Sequence, residues 1–157
     1  MPHRVPKQDR YLHLLHDVYG DTTMSRHAKG TFEVKMSPQA EADGVGDPSV
    51  GRMALDKQYR GDMEGTGKGQ MLAVGTPVDG SAGYVAMERI AATLHGRRGS
   101  FALQHTGTMN RGTPYLSITV VPDSGTEALG GITGRLEITM ANGAHAYDFE
   151  YSLPDLP

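Results

Sequence analysis

Residues 84–109 contain two alternating segments joined by a short polar stretch, and they constrain the fold more than any other part of the chain. The join, residues 95–100, holds glycines and arginines that interrupt the apolar pattern. Strand side chains point alternately to opposite faces, so the segment predicts a long β-hairpin whose more apolar face carries Glu88 and His105. Because a lone buried charge is costly, we expect these two groups to be paired or hydrated.

The rest of the chain repeats this pattern of short alternating segments between turn residues. Asn142-Gly143 is typical of a type I′ hairpin turn, and the glycine-rich residues 61–67 predict a turn or bulge. Alternation predicts six further strands, over residues 31–36, 52–61, 70–74, 114–121, 129–140 and 145–153. Eight short antiparallel strands favour an all-β, up-and-down barrel, with a β-sandwich as the alternative.

The length of 157 residues suits one domain with a substantial core. Its 21 glycines and lack of tryptophan fit short strands with tight turns better than a helical bundle. We expect a single β-barrel domain over residues 27–154. Residues 1–26 differ in pattern and are predicted to form a flexible N-terminal extension.

Charge and composition exclude several classes of function. A net charge of −3 without a block of like charge is unlike a nucleic-acid-binding protein. The absence of cysteine excludes disulfides, thiolate metal sites and cysteine nucleophiles. No apolar run is long enough to span a bilayer. We therefore expect no nucleic-acid partner and no membrane association, with the cytoplasm as the default location.

The predicted outer face of the hairpin is more apolar than a solvated barrel wall requires. Val85, Met87, Ala91 and Ala102 all fall on that face. An antiparallel sheet usually leaves one face in water, so a partner that covers this wall would explain the pattern. Symmetric homo-oligomers are common, and we expect a dimer to tetramer.

Several motifs resemble a bacterial family of small proteins classed as a domain of unknown function. The matching segments are GTFEV (30–34), LDK (55–57), GDMEGT (61–66), GYVAMER (83–89), GSFALQH (99–105), VVPDSGT (120–126) and YDFEY (147–151). The resemblance covers nearly all of residues 27–153. That family is similar to barrels of the allene oxide cyclase type and to dirigent proteins. The resemblance implies an eight-stranded barrel; relatives in fold bind apolar ligands in the lumen, and some direct isomerisation or cyclisation without a cofactor.

Glu88 and His105 are the candidate catalytic residues. If Leu94 lies opposite Phe101, His105 faces Ile90 and Glu88 lies one diagonal away; a shift of two residues would place the pair directly opposite. Such a pair is suited to general acid–base catalysis. The alternative is a buried polar pair that only fixes the strand register.

Other side chains on the predicted lumen face are candidate ligand contacts. Tyrosine hydroxyls would supply hydrogen bonds, and a lysine on an apolar face would supply a charge; the alternatives are core packing and an extended lysine whose amine reaches water. The candidate ligand-binding residues are Tyr84, Tyr59, Lys57, Tyr115, Phe101, Leu103 and Tyr147.

The sequence lacks the motifs of cofactor-dependent and triad chemistry. Residues 61–69 depart from a phosphate-binding loop in spacing and in the residue after Lys68. The seven histidines form no HxH or HExxH cluster, and no GxSxG elbow is present. We expect neither a metal nor a cofactor.

The function that these features favour is binding of a small apolar or amphipathic molecule in the barrel lumen, with cofactor-free isomerisation or cyclisation as the candidate reaction. The alternative is a non-catalytic oligomeric barrel whose interior is filled by its own side chains. An eight-stranded barrel is wide enough either to be filled or to hold one small ligand. A cavity at the barrel mouth distinguishes the two.

Overall fold

The computed structural model describes residues 24–40 and 44–154, which form a closed barrel of eight antiparallel strands. Each strand pairs with its neighbours in the chain, and β1 pairs with β8 to close the barrel. The elements are β1 (Arg26–Pro38), β2 (Gly51–Gly61), β3 (Met63–Gly75), β4 (Ala82–Leu94), β5 (Arg97–Asn110), β6 (Thr113–Val120), a 3₁₀ turn (Glu127–Leu129), β7 (Thr133–Ala141) and β8 (Ala144–Ser152). The predicted all-β, eight-stranded up-and-down barrel is confirmed.

Alternation of burial follows the alternation of the sequence. In β4 every second residue from Ala86 to Leu94 is buried, and the residues between them are exposed. Two-residue turns join the tightest hairpins: Asn142 and Gly143 have φ of 52° and 79°, and His95 and Gly96 have 44° and 80°. Turns with two positive φ values match the twist of the flanking strands. The Asn142-Gly143 prediction is confirmed.

The glycine-rich segments are more regular than predicted. The predicted turn over residues 61–67 is confined to Gly61 and Asp62, and β3 runs straight through Gly65 and Gly67. The predicted join over residues 95–100 contracts to two residues, because β5 already begins at Arg97. These predictions were wrong because glycine was taken as a mark of turns, whereas in β3 it marks close approach of other side chains.

Strand seven also begins later than predicted. Residues 121–132 form a connection that holds the 3₁₀ turn, and β7 starts at Thr133. The connection folds back on β5: the Thr126 N–H donates to the carbonyl of Ser100, and the Ser124 hydroxyl accepts from the Ala102 N–H. Ala102, predicted to face outward, is therefore covered and only 9% exposed.

One end of the barrel, where β4 ends and β5 begins, is filled by apolar side chains. Met63, Leu94 and Tyr151 are essentially fully buried there, with Leu129 and Ile132 of the β6–β7 connection packed beside them. We call this the closed end. Tyr147 lies just inside it, where its hydroxyl accepts from the Met63 N–H and donates to the carbonyl of Arg60. The closed end is thus sealed by both packing and hydrogen bonds.

The opposite end, where β3 ends and β4 begins, leaves inward-facing apolar side chains in contact with solvent. Met36, Met109, Leu116 and Met140 occupy inward positions of their strands, and each is at least 40% exposed. We call this the open end. The same strands therefore finish in a filled core at one end and in an uncovered apolar rim at the other.

The outer wall keeps some of the apolar character that predicted an oligomer. Val85 and Met87 are about half exposed, and with Leu72 they line a shallow groove across β2 to β5. Homo-oligomerisation stays a prediction. No helix in the described ranges is long and apolar enough to cross a membrane. Of the predicted N-terminal extension, residues 1–23 lie outside the described residues.

Candidate functional site

Four polar side chains converge in the barrel interior, on inward positions of β2, β4 and β5. The Glu88 carboxylate accepts hydrogen bonds from Lys57 Nζ at 2.8 Å, the Tyr59 hydroxyl at 2.5 Å and His105 Nε2 at 3.0 Å. Glu88 is 1% exposed, and Lys57 and His105 are 6% and 3% exposed. We call these four residues the polar cluster.

Glycines in β3 allow this cluster to form. β2 and β4 both pair with β3, so their backbones are roughly 9–10 Å apart. Gly67 lies between Lys57 and Ile90 on the inward face. A Cβ at Gly67 would overlap Glu88 Oε2 and lie 2.9 Å from Cε2 of Tyr59. Because Gly67 has no side chain, it leaves the space in which the Tyr59 hydroxyl and the Glu88 carboxylate form their hydrogen bond.

The hairpin register differs from the predicted one by four residues. Leu94 lies opposite Arg97, and His105 lies opposite Ala86. Glu88 lies opposite Leu103, two residues before His105, so Glu88 and His105 are diagonal neighbours, as they also are in the expected register. Neither of the two registers considered is the observed one, because the join is two residues long, yet the expected pairing of the two side chains is seen in their hydrogen bond.

The electrostatics of the cluster favour an ionised carboxylate. Burial raises the pKa of Glu88, but the hydrogen bond from His105 and the charge and hydrogen bond of Lys57 outweigh it, so the net shift is downward. Burial, and then the negative charge of Glu88, raise the pKa of Tyr59 well above its usual range. Lys57 Nζ also lies 4.9 Å from the Phe32 ring centroid, within reach of a cation–π attraction. The cluster is therefore an ion pair with two further donors.

A small apolar cavity lies at the open end, and no residue of the polar cluster is in its lining. Its volume is about 330 Å³, near the lower limit for pockets that bind small ligands. We call it the mouth cavity; its lining includes Met71, Ala73, Tyr84, Met109, Tyr115 and Leu116. The Tyr84 ring covers Gly107, where a Cβ would overlap the ring. Gly107 and Tyr84 are the next inward positions beyond His105 and its partner Ala86, so the cavity lining begins one inward position beyond His105.

The structure distributes the predicted ligand-binding residues over three regions. Lys57 and Tyr59 belong to the polar cluster, and Tyr84 and Tyr115 line the mouth cavity. Tyr115 reaches the cavity from an outward position and is 61% exposed. The remaining three residues are part of the packed core: Phe101, Leu103 and Tyr147.

Two contributions to the site escaped the sequence analysis. The methionines of the mouth, Met71 and Met109, were attributed to no site, although their alternation places them on the lumen face. Gly67 was assigned to a turn. An available signal was the run Gly65, Gly67, Gly69, in which small residues recur every second position as they do along one face of a strand.

Metal ligation has no obvious location in the part of the chain that the structure describes. Within residues 24–40 and 44–154, no group of three or more histidine, aspartate or glutamate side chains lies close enough together to hold an ion. The four residues of the polar cluster include one carboxylate and one imidazole, and the carboxylate is already occupied by three donors.

Comparisons with known proteins agree with this architecture. The model of a family described as "Protein of unknown function (DUF3224)" matches residues 28–151. The crystal structure of a protein of unknown function from that family, from Shewanella oneidensis, is 42% identical in sequence with a TM-score of 0.77. The alignment covers 85% of this chain and 100% of that one. No curated protein sequence matches the chain.

Proposed function

The chain belongs to the DUF3224 family, a family without an assigned function, and from its own site we propose that it binds a small, largely apolar molecule in the mouth cavity. The observation that carries this proposal is the apolar cavity of about 330 Å³ at the open end of the barrel. An apolar surface that a protein leaves uncovered often marks a binding site.

The chemistry of the lining supports an apolar ligand. Met71, Met109 and Leu116 contribute flexible hydrocarbon and thioether groups, and methionine adapts its shape to different ligands. Tyr84 contributes an aromatic face and a hydroxyl. Burial raises the pKa of Tyr84 above its usual value, so the phenol is neutral at physiological pH and remains able to donate a hydrogen bond.

The likeness to allene oxide cyclase-type barrels and the candidate isomerisation or cyclisation stay predictions. If a proton-transfer reaction takes place, the geometry favours His105 over Glu88 as the group that meets the substrate. Glu88 accepts three hydrogen bonds and has almost no exposed surface. General acid–base catalysis needs a group within hydrogen-bond reach of the substrate, so Glu88 would act through His105.

The test is a titration followed by NMR of isotopically labelled methionine methyl groups. Naphthalene is the probe, and methyl signals are assigned with single methionine-to-leucine variants. We expect the signals of Met71 and Met109 to shift on saturable binding. The Met63 methyl, buried at the closed end, is the internal control and is expected to stay in place.

A matched pair of variants localises the binding. Ala73→Phe fills the cavity from an inward position of β3, whereas Thr119→Phe adds the same ring to an exposed outward position of β6. Ala73→Phe should abolish the shifts and Thr119→Phe should leave them unchanged. Absence of any shift in the unmodified protein, or equal shifts at Met63, would contradict the proposal and favour a barrel without a ligand site.

Assembly and location are separate proposals. The half-exposed Val85 and Met87 on the outer wall support a homo-oligomer, which sedimentation at micromolar concentration tests. Val85→Lys with Met87→Lys should then yield a monomer. If the unmodified protein is already monomeric, the oligomer prediction is wrong. A cytoplasmic location stays a prediction.

A further inference from the structure

His105 has one ring nitrogen that the polar cluster does not use. Its Nε2 bonds to Glu88 Oε1 at 3.0 Å. Its Nδ1 has no hydrogen-bond partner among residues 24–40 and 44–154, although only 4% of the side chain is exposed. No buried side-chain nitrogen or oxygen of these residues is both sealed from solvent and unpartnered. The Nδ1 atom must therefore retain some surface that water can reach.

The hydrogen bond between Nε2 and Glu88 determines whether Nδ1 is a donor or an acceptor. An ionised carboxylate only accepts hydrogen bonds, so the imidazole must carry its proton on Nε2 to bond with Glu88. In the neutral ring, Nδ1 then holds a lone pair and is an acceptor. Lys57 and Tyr59 also direct their donors to Glu88, which keeps the carboxylate ionised and the tautomer fixed.

The mouth cavity begins one inward position beyond His105. The next inward residue on β5 is Gly107, over which the Tyr84 ring lies, and the residue opposite His105 on β4 is Ala86, which has a single methyl group. Gly107 is part of the cavity lining. Among the buried polar side chains of β4 and β5, His105 is thus the nearest along the strands to the cavity lining, and its Nδ1 accepts in the neutral ring.

We infer that Nδ1 of His105 is the hydrogen-bond acceptor for a hydroxyl group of the ligand, and that the mouth cavity selects small apolar molecules with one weakly acidic hydroxyl, phenols above all. This inference rests on the proposed binding function. A ligand that carries only acceptors would displace water from the imidazole lone pair and leave it unpartnered. Leaving a buried polar group unsatisfied costs binding free energy.

The experiment compares three probes of similar size: para-cresol, its methyl ether and toluene. Dissociation constants are measured by calorimetry and by the methionine methyl shifts. We expect para-cresol to bind roughly 5- to 10-fold more tightly than its methyl ether, the effect of one net hydrogen bond. Toluene is expected to bind with an affinity near that of the ether.

The matched variant is His105→Gln. The glutamine amide can replace Nε2 as the donor to Glu88, but it offers no acceptor at the position of Nδ1. The preference for para-cresol over its methyl ether and toluene should disappear in this variant. A preference that is absent in the unmodified protein, or that persists in His105→Gln, overturns the inference and leaves apolar binding intact. If none of the three probes binds, the proposed function fails as well.

A second measurement tests the inference on the unmodified protein without any ligand. Ring-nitrogen NMR of the unmodified protein reports which nitrogen of His105 carries the proton, with the signal identified by its loss in His105→Gln. We expect the proton on Nε2, which bonds to Glu88, and none on Nδ1. A proton on Nδ1, in either the other neutral tautomer or the cation, removes the acceptor and overturns the inference.

Discussion

The two ends of the barrel are built from the same strands but finish them differently. At the closed end, Met63 and Leu94 are fully buried, and Leu129 of the β6–β7 connection packs with them. At the open end, Met109 and Met140 also occupy inward positions, yet they remain 40% and 62% exposed. Burial of apolar surface is the main source of stability. The closed end therefore stabilises the fold, while the open end keeps apolar surface available for binding.

The polar cluster lies between these two regions and divides them. Its carboxylate accepts from the amine, the phenol and Nε2 of the imidazole, and only His105 Nδ1 has no partner among the described residues. A hydrogen-bonded buried network favours one arrangement of its members. Below it the interior is a packed core, and above it lies the mouth cavity.

Truncation of a large side chain at each end is the most direct way to test this division. Phe101→Ala removes a fully buried ring that stacks on Phe149, and we expect a loss of about 4 kcal/mol in the free energy of unfolding. Met109→Ala should cost about 1 kcal/mol or less, because its side chain is already partly in water. Denaturant unfolding measures both, and equal losses would contradict the division.

Breaking the ion pair tests whether the cluster stabilises the middle of the barrel. Lys57→Met leaves the Glu88 carboxylate without its cation, and we expect a loss of about 3 kcal/mol. The double variant with Glu88→Gln should lose less, because the uncompensated charge is gone. Lys35→Met, on the exposed outer face of β1, is the control and should change stability by about 0.5 kcal/mol at most. A double variant less stable than Lys57→Met would refute the coupling.

A single methyl group added to β3 tests the role of its glycines. Gly67→Ala places a Cβ against Glu88 and Tyr59, and we expect a loss of about 2 kcal/mol from overpacking. Gly75→Ala, at the open end of the same strand, meets no atom within 4 Å and should be neutral or slightly stabilising. Thermal unfolding measures both variants, and equal melting temperatures would contradict this role of Gly67.

Acid should weaken the protein partly through Glu88. Burial raises the pKa of Glu88, but the hydrogen bond from His105 and the interactions with Lys57 lower it by more. The pKa in the folded protein therefore lies below the pKa in the unfolded chain. The stability that this shift contributes is complete above the unfolded pKa and is lost as pH falls through the folded pKa. The stability difference between the unmodified protein and Glu88→Gln should therefore shrink as pH falls below about 4.5. Glu33→Gln, on the exposed face of β1, is the control, and a constant difference for Glu88→Gln would exclude the linkage.

The architecture was accessible from sequence because strand periodicity is local. Alternation in β4 identified its inward face, and the Asn142-Gly143 pair located a hairpin. The lengths of β3 and of the central hairpin turn were not accessible. A glycine in a strand and a glycine in a turn have the same sequence signature, and only the neighbours that approach Gly67 distinguish them.

The candidate site was predictable in its members but not in its arrangement. Glu88 and His105 were paired from their shared strand face, and Lys57 and Tyr59 were assigned to the lumen separately. Their convergence on one carboxylate depends on contacts between β2 and β4, which are 29 and 31 residues apart in the chain at these positions. No local pattern encodes such a contact.

By itself, the sequence determined the strands, the two faces of each strand and therefore which polar groups enter the interior, because side-chain alternation follows from backbone geometry alone. Only the tertiary structure decided which end of the barrel is sealed and where the ion pair forms. The β6–β7 connection reaches one end but not the other, and the glycines of β3 leave space for side chains from both of its neighbours. Both outcomes depend on which surfaces meet when the barrel closes, and that is a property of the whole chain.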